Sequence, residues 1–289
     1  MKNLSRKHHY LPVFYLKGFA KESNKFKIYN VQDKRFIKKG KEFSPKSYFY
    51  EKDGNTINFT GSKNDFLETE HYSHFDNNIA KLFEKINSSS NGNRFNIDEN
   101  DMPAINHFVS LMYWRLPHRM EELKSIIKNN NLNTLGFAIK DSNGIKDKKV
   151  EEEFKNSEPF LKSYKYCNSL IDSMRGFDCR TPYTILETTD KSPFLCSDNP
   201  VIFEMDILPK VYEDDYLFPL SGNRLFIKTN KTKNFPAYLR FMVDTLVYKQ
   251  AMKYVSCTDE RYIDKLENNF EKSNISVNDL RADIFNVLK

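Results

Sequence analysis

TPYTILETTDKSPFLCSDNPVIFEMDILPKVYEDDYLFPLSGNRLFIKTN, residues 181–230, has a texture unlike the rest of the chain. Four short runs rich in β-branched and aromatic residues (181–189, 193–203, 216–222 and 223–230) are separated by turn residues, the pattern of strands. Upstream, KFKIYNV (25–31) and KRFIKK (34–39), parted by Gln32-Asp33, read as a β-hairpin, and KSYFYEKDGN (46–55) reads as a third strand ending in an Asp-Gly turn. Between these β-rich parts the apolar residues recur at helical spacing over 62–86, 98–128 and 151–175. Pro117 predicts a kink late in the second of these helices. A short helix is expected after Pro12, ending near Gly18, and downstream the pattern is helical over 235–269 and again after Ser276.

The order hairpin, helices, β block, helices is α+β, since alternating βαβ units would intersperse strands with single helices. The expected architecture is a single α+β domain with an antiparallel β-region packed on a helical layer. It divides into a basic β-hairpin lobe (1–60), a helical part (61–175), a β-rich part (180–230) and a second helical part (235–289). The N-terminal hairpin and the 181–229 strands are expected to share the β-region. No internal repeat, GxGxxG or GxxxxGK[ST] is present, which removes the Rossmann and P-loop readings.

Composition narrows the class further. Among 289 residues, 24 Phe and 16 Tyr supply enough large apolar surface to exclude a disordered chain. No stretch approaches the ~20 uncharged apolar residues of a transmembrane helix. MKNLSRKHHY lacks an apolar signal core, so a cytosolic protein with no membrane association is expected. The four cysteines (Cys167, Cys179, Cys196, Cys257) form no CxxC pair and read as small core residues. Charge is uneven. Residues 1–47 hold 13 basic against three acidic residues (+10), while the rest hold 32 basic against 36 acidic (−4). A basic N-terminal lobe on a slightly acidic body suits nucleic acid, a nucleotide or an acidic partner.

Polar residues on apolar helix faces mark the candidate site. With Ile105 at 0° on a helical wheel, Arg119 falls at about 320° and Arg115 at about 280°, inside or beside the stripe of Ile105, Val109, Met112 and Leu116. Buried guanidiniums need an acid on another helix or an anion from outside. Glu68 lies within about 20° of the apolar face of the preceding helix, with Asp76 at its edge. Glu68 and His71 share a Glu-x-x-His spacing, but a di-iron bundle needs two such copies. His107, Trp114 and His118 fall on the opposite face, as surface or a second packing layer. His8-His9 precede the first helix, where free backbone N–H groups gather. Ser197-Asp198-Asn199-Pro200 is turn chemistry at a strand end, a position where sheet enzymes place carboxylates.

Taken together, His9-Tyr10-x-Pro12, Tyr15-Leu16-x-x-Phe19, Glu68, Phe75-Asp76, Arg115-x-Pro117-x-Arg119, Phe194 to Val201 and Phe218-Pro219-Leu220-Ser221 resemble a bacterial family known as domain of unknown function 4238, over about Lys7 to Lys253. The resemblance implies Glu at position 76 and Asn at 244, where this chain has Asp. It implies no activity, but its motifs contain the residues the wheel singles out.

One His, two or three acids and two Arg suit phosphodiester hydrolysis. In that reading His9, Glu68 and Asp198 are catalytic. Glu68, Asp76 and Asp198 hold a divalent ion such as Mg²⁺ or Mn²⁺, and Arg115, Arg119 and Asn199 bind phosphate. The expected function is a nuclease-like hydrolase, the effector of a bacterial toxin or phage-defence system. The alternative is a non-catalytic nucleic-acid- or protein-binding module, or a nucleotide sensor.

Overall fold

A computed structural model describes residues 6–20, 22–59, 61–88, 101–129, 140, 143–145, 147–175, 181–188, 194–205, 209–231 and 235–288. For 59 and 172–175 it gives the backbone alone. The α+β class holds: among the described residues, helices pack around two antiparallel sheets.

The 181–230 block supplies the first sheet. Its strands β8 (Tyr183–Glu187), β9 (Cys196–Ser197), β10 (Ile202–Phe203), β11 (Tyr216–Ser221) and β12 (Arg224–Lys228) follow the four runs, and the sheet order is β10-β11-β12-β8. Every residue of β11 and β12 is buried, so their near-continuous apolar runs serve both faces. Pro219 lies where the β11–β12 register shifts, and its carbonyl accepts the Tyr15 hydroxyl at 2.9 Å. Lys228, also in the interior, donates to three carbonyls, of Val211, Tyr212 and Asp214.

β9 leaves that block for the second sheet, and here the sequence reading needs correction. The N-terminal strands β2 (Phe26–Asn30), β3 (Arg35–Phe36) and β4 (Glu42–Phe43) do not join the first sheet. They meet β9 through a strand the helical pattern concealed, β13 (Tyr254–Cys257), in the order β3-β2-β13-β9 with β4 also on β2. The stretch expected to be helical over 235–269 is therefore α7 (Leu239–Lys249), β13 and α8 (Glu260–Ser273). Tyr-Val-Ser-Cys is β-prone, and Asp259 restarts the helix by accepting the Arg261 N–H.

Two ribbons complete the strands: β1 (Lys7–His9) with β5 (Tyr50–Lys52), and β6 (Ile57–Phe59) with β7 (Ser62–Asn64). The helix expected from residue 62 begins later. A π-helical turn, Leu67–Tyr72, leads into α2 (Ser73–Ser88). The second helix breaks at Pro117 as expected, into α3 (Asp101–Arg115) and α4 (Arg119–Asn129); its expected start at 98 lies outside the described residues, as does Cys179. The expected helix 151–175 is two, α5 (Lys148–Lys155) and α6 (Glu158–Arg175), with Pro159 in the first turn of α6. The C-terminal α9 (Val277–Val287) opens with a reciprocal Ser276–Asp279 capping box.

One buried cluster runs from Tyr10 to Leu288 and draws on both sheets. At its centre α1 (Val13–Lys17) packs Tyr15 on Phe218, ring centroids 5.3 Å apart, with Phe83 edge-on and Phe108 tilted. Gly18 ends α1 against the β11–β12 hairpin, where its carbonyl accepts the Gly222 N–H at 2.8 Å; a Cβ there would lie 3.1 Å from that of Ser221. Nearly all of α3 after Ile105 is buried, because α6 packs along it, so the face opposite the stripe is the second packing layer rather than surface. His107 is thereby neutral: burial takes it down to about 4, its ring 4.3 Å from Phe75.

Candidate functional site

The polar residues flagged in the sequence separate into three places. The first gathers His9, Glu68, Asp76 and Arg115 around the junction of β1, the π-helical turn, α2 and the end of α3. Arg115 is buried on α3; its Nη1 donates to both Asp76 oxygens, at 2.9 and 3.0 Å, and the guanidinium lies 4.3 Å from the centre of the Tyr72 ring. Arg115 Nε has no hydrogen-bond partner among the described residues. Desolvation pushes the Asp76 carboxyl up, and the Arg115 charge pulls it back. The expected external anion on Arg115 is thus replaced, in this structure, by a carboxylate from α2.

Glu68 opens the π-helical turn. The N–H groups of both Glu68 and Thr69 donate to the Asp65 carbonyl, and the Thr56 hydroxyl holds the Asp65 carboxylate at 2.7 Å. The widened turn leaves Glu68 half-buried, with one carboxylate oxygen accepting the Asn55 side-chain amide at 2.7 Å. The Glu-x-x-His spacing has no joint role: His71 bonds the Tyr166 hydroxyl at 2.9 Å and packs against Phe66.

His9 is not at a helix start. It is the last residue of β1, opposite Tyr50, and α1 begins only after Pro12. The half-buried ring bonds the backbone carbonyl of Lys46, while Nε2 is buried without a hydrogen-bond partner among the described residues. Desolvation lowers its pKa, so the ring is neutral at pH 7; the Glu68 charge opposes this and those of Arg115 and Lys7 add to it.

The second place belongs to Arg119, for which the sequence suggested an acid on another helix or a phosphate. At the first turn of α4 it instead pairs with Glu122 at 2.6 Å and lies 3.9 Å from the Tyr113 ring centre, while Tyr113 donates to the other Glu122 oxygen. Beside it, His118 is driven down to about 3, by burial first and then by the Arg119 and Lys165 charges.

The third place holds Asp198 and Asn199. The Asp198 carboxylate accepts three backbone N–H groups, from Met252, Lys253 and Tyr254, at 2.8–2.9 Å. Asn199 exchanges hydrogen bonds with Gln250. Both fasten the β9–β10 turn to the loop that leads into β13. Asp198 serves as an anchor for a strand and Asn199 as its companion in the turn, so the catalytic, metal-binding and phosphate roles expected of them compete with these structural bonds. Among the described residues, no three of His, Cys, Asp and Glu stand where one ion could bind. The donor set Glu68, Asp76 and Asp198 therefore does not fit a divalent ion in this arrangement.

Sequence reasoning missed Asn55 and the Lys46 carbonyl, which orient Glu68 and His9. The Asp53-Gly54-Asn55 turn was the available signal. The class these observations define is an α+β protein with a half-buried His–Glu–Arg cluster at the seam between a β-ribbon and a helical layer. Residues 7–252 match the family described as Protein of unknown function (DUF4238), and the chain belongs to that family. No curated protein and no solved structure gives a significant match.

Proposed function

We propose that the chain hydrolyses phosphodiesters, with His9 as the general base and the N-terminal lobe holding the nucleic acid. The observation that carries this reading is the buried Nε2, without a hydrogen-bond partner among the described residues, of a neutral, oriented imidazole on which the Glu68 and Arg115 charges act. In the proposed step Nε2 takes a proton from the attacking water, and the Glu68 carboxylate stabilises the imidazolium that forms. Arg115, under the cluster, and the exposed Lys7 offset the charge on the phosphate, and the displaced alkoxide takes its proton from solvent. Lys38, Lys39, Lys41 and Lys46 support the binding half of the reading: all are exposed and none has an ion pair among the described residues. Lys38 and Lys39 sit at φ 47° and 56° before Gly40 at 76°, a left-handed turn at the lobe surface.

Labelled RNA and DNA oligonucleotides, incubated with EDTA, Mg²⁺ or Mn²⁺, test the proposal. Wild type is expected to cleave at least one of them. His9→Gln and Glu68→Gln are expected to lose about 100-fold or more in rate with unchanged thermal melts. Absence of cleavage in every arm, or full activity in His9→Gln, overturns it. The same exposed lysines favour a second reading, binding without cleavage. There the affinity falls steeply with salt and is removed by the quadruple change of Lys34, Arg35, Lys38 and Lys39 to Ala.

A further inference from the structure

Lys165 on α6 is as buried as a core residue, 7% exposed, and has no carboxylate within ion-pair distance among the described residues. Its Nζ donates to the carbonyls of Arg115 at 3.4 Å and Leu116 at 3.2 Å, the end of α3. An ammonium has three donors. Lys228, equally buried, satisfies all three on carbonyls. Among the described residues Lys165 is one partner short, and it lines a cavity of about 470 Å³ between the 51–54 turn, α4 and α6.

Three more lysines line that cavity. Lys52 has no ion pair among the described residues, Lys162 holds the Thr56 carbonyl and Glu158, and Lys124 holds Glu121. Of the acids at its walls, Asp53 pairs with Arg6 and Glu158 with Lys162, so Glu51 is the one whose charge acts on Lys165. Pro117, Met120 and Leu161 add an apolar side. Cations on separate elements, one of them deeply buried with two of its three donors used, match an anion with several oxygens. The volume falls in the range of small-ligand pockets.

We propose that this cavity binds a small phosphomonoester of mononucleotide size, with Lys165 as the anchor of the phosphate. The site is distinct from the His9 cluster and does not depend on the proposed cleavage. The two share one segment, since the turn that carries Lys52 to Gly54 continues into Asn55, which holds Glu68.

Because Lys165 also caps α3, Lys165→Met removes a structural contact, and a probe that reads the intact protein is preferable. Pyridoxal 5′-phosphate carries a phosphate and an aldehyde. Its carbonyl carbon forms an imine with a lysine Nζ near the bound phosphate, losing water, and borohydride then reduces the imine to a stable secondary amine for peptide mapping. With the phosphate held by Lys165, the other lysines of the walls, Lys52 and Lys162, are expected to be the principal sites labelled. AMP should protect at lower concentration than inorganic phosphate, and adenosine should not protect. Lys52→Ala, at an exposed position, should weaken AMP protection several-fold. Labelling spread over surface lysines without protection overturns the site. Protection by inorganic phosphate equal to that by AMP overturns the organic ligand.

Discussion

Arg115 and Arg119 stand one helical turn apart in sequence, yet the helix break at Pro117 sends them to different neighbours. A wheel orders side chains around one axis. It marked both as out of place but could not show that α2 crosses α3 at Asp76 or that Glu122 lies in reach of Arg119. Their substitutions should separate accordingly. Arg115→Met leaves the Asp76 carboxylate with no cation; a broken buried pair costs about 3–5 kcal/mol, and the 20% exposure of Asp76 places this one near the lower end. Adding Asp76→Asn should recover much of that loss. Arg119→Met gives up a partly exposed i,i+3 pair and a ring contact, about 1 kcal/mol together. Denaturant melts of the three variants check the ranking; equal losses for Arg115→Met and Arg119→Met would contradict it. Asp198 shows the opposite limit of sequence reading. Its turn was legible in Ser-Asp-Asn-Pro, whereas its three amide partners come from residues more than 50 positions away.

At the scale of elements, the strands of 181–230 and the helix ends were legible because their signals are local: alternation of apolar runs, Pro at a break, Ser-x-x-Asp at a cap. β13 and the π-helical turn were not. Four strand residues between two helices leave the apolar spacing unbroken, and a π-helical turn differs from an α-helix by one residue that carries no composition mark. That one residue decides where Glu68 points. Deleting Thr69 should let the turn close as an α-helix and rotate Glu68 by about 100° relative to Tyr72 and Asp76. The expected result is a folded protein with unchanged helical circular dichroism that has lost the Asn55–Glu68 contact and, with it, cleavage; Thr69→Ala should retain both. Full cleavage by the deletion variant would remove Glu68 from the proposed site.

Over the whole molecule the charge asymmetry was fully legible, since it is a count, but its use within the fold was not. Part of the basic lobe is answered internally by the acidic face of α8, where Lys27 meets Glu260 at 2.6 Å and Lys34 meets Glu267 at 3.4 Å. Four of the exposed lysines left for a partner, Lys38, Lys39, Lys41 and Lys46, fall in one segment, the one whose carbonyl holds His9. Position 244 shows a further global consequence of burying charge. Asp244 on α7 is fully buried; it accepts the Leu195 N–H at 2.9 Å and the Tyr262 hydroxyl at 2.7 Å, with Arg240 Nε 3.6 Å away.

Desolvation pushes the Asp244 carboxyl up to about 6 from the usual 3.8, against the pull of those partners. Between these two values the folded state binds the proton more tightly than the unfolded chain, so this residue makes stability fall as pH rises from about 4 to 6. His107 and His118 act in the opposite sense over an overlapping range. Held at about 4 and 3, they are neutral when folded and protonated when unfolded, so their contribution is lost as pH falls below about 6.5. The histidine shifts are the larger, and the wild-type melting temperature should fall on acidification from pH 6.5 to 4, with Asp244 blunting the fall. Asp244→Asn keeps the Leu195 N–H bond through its oxygen and can donate its amide to the Tyr262 oxygen, while removing the titration. The variant should therefore show a steeper acid loss than wild type. Its stability relative to wild type should rise by about 3 kcal/mol between pH 4 and 7, the equivalent of a shift of about two pKa units. Parallel pH–stability curves for the two proteins would show that the carboxyl at 244 titrates near its ordinary value.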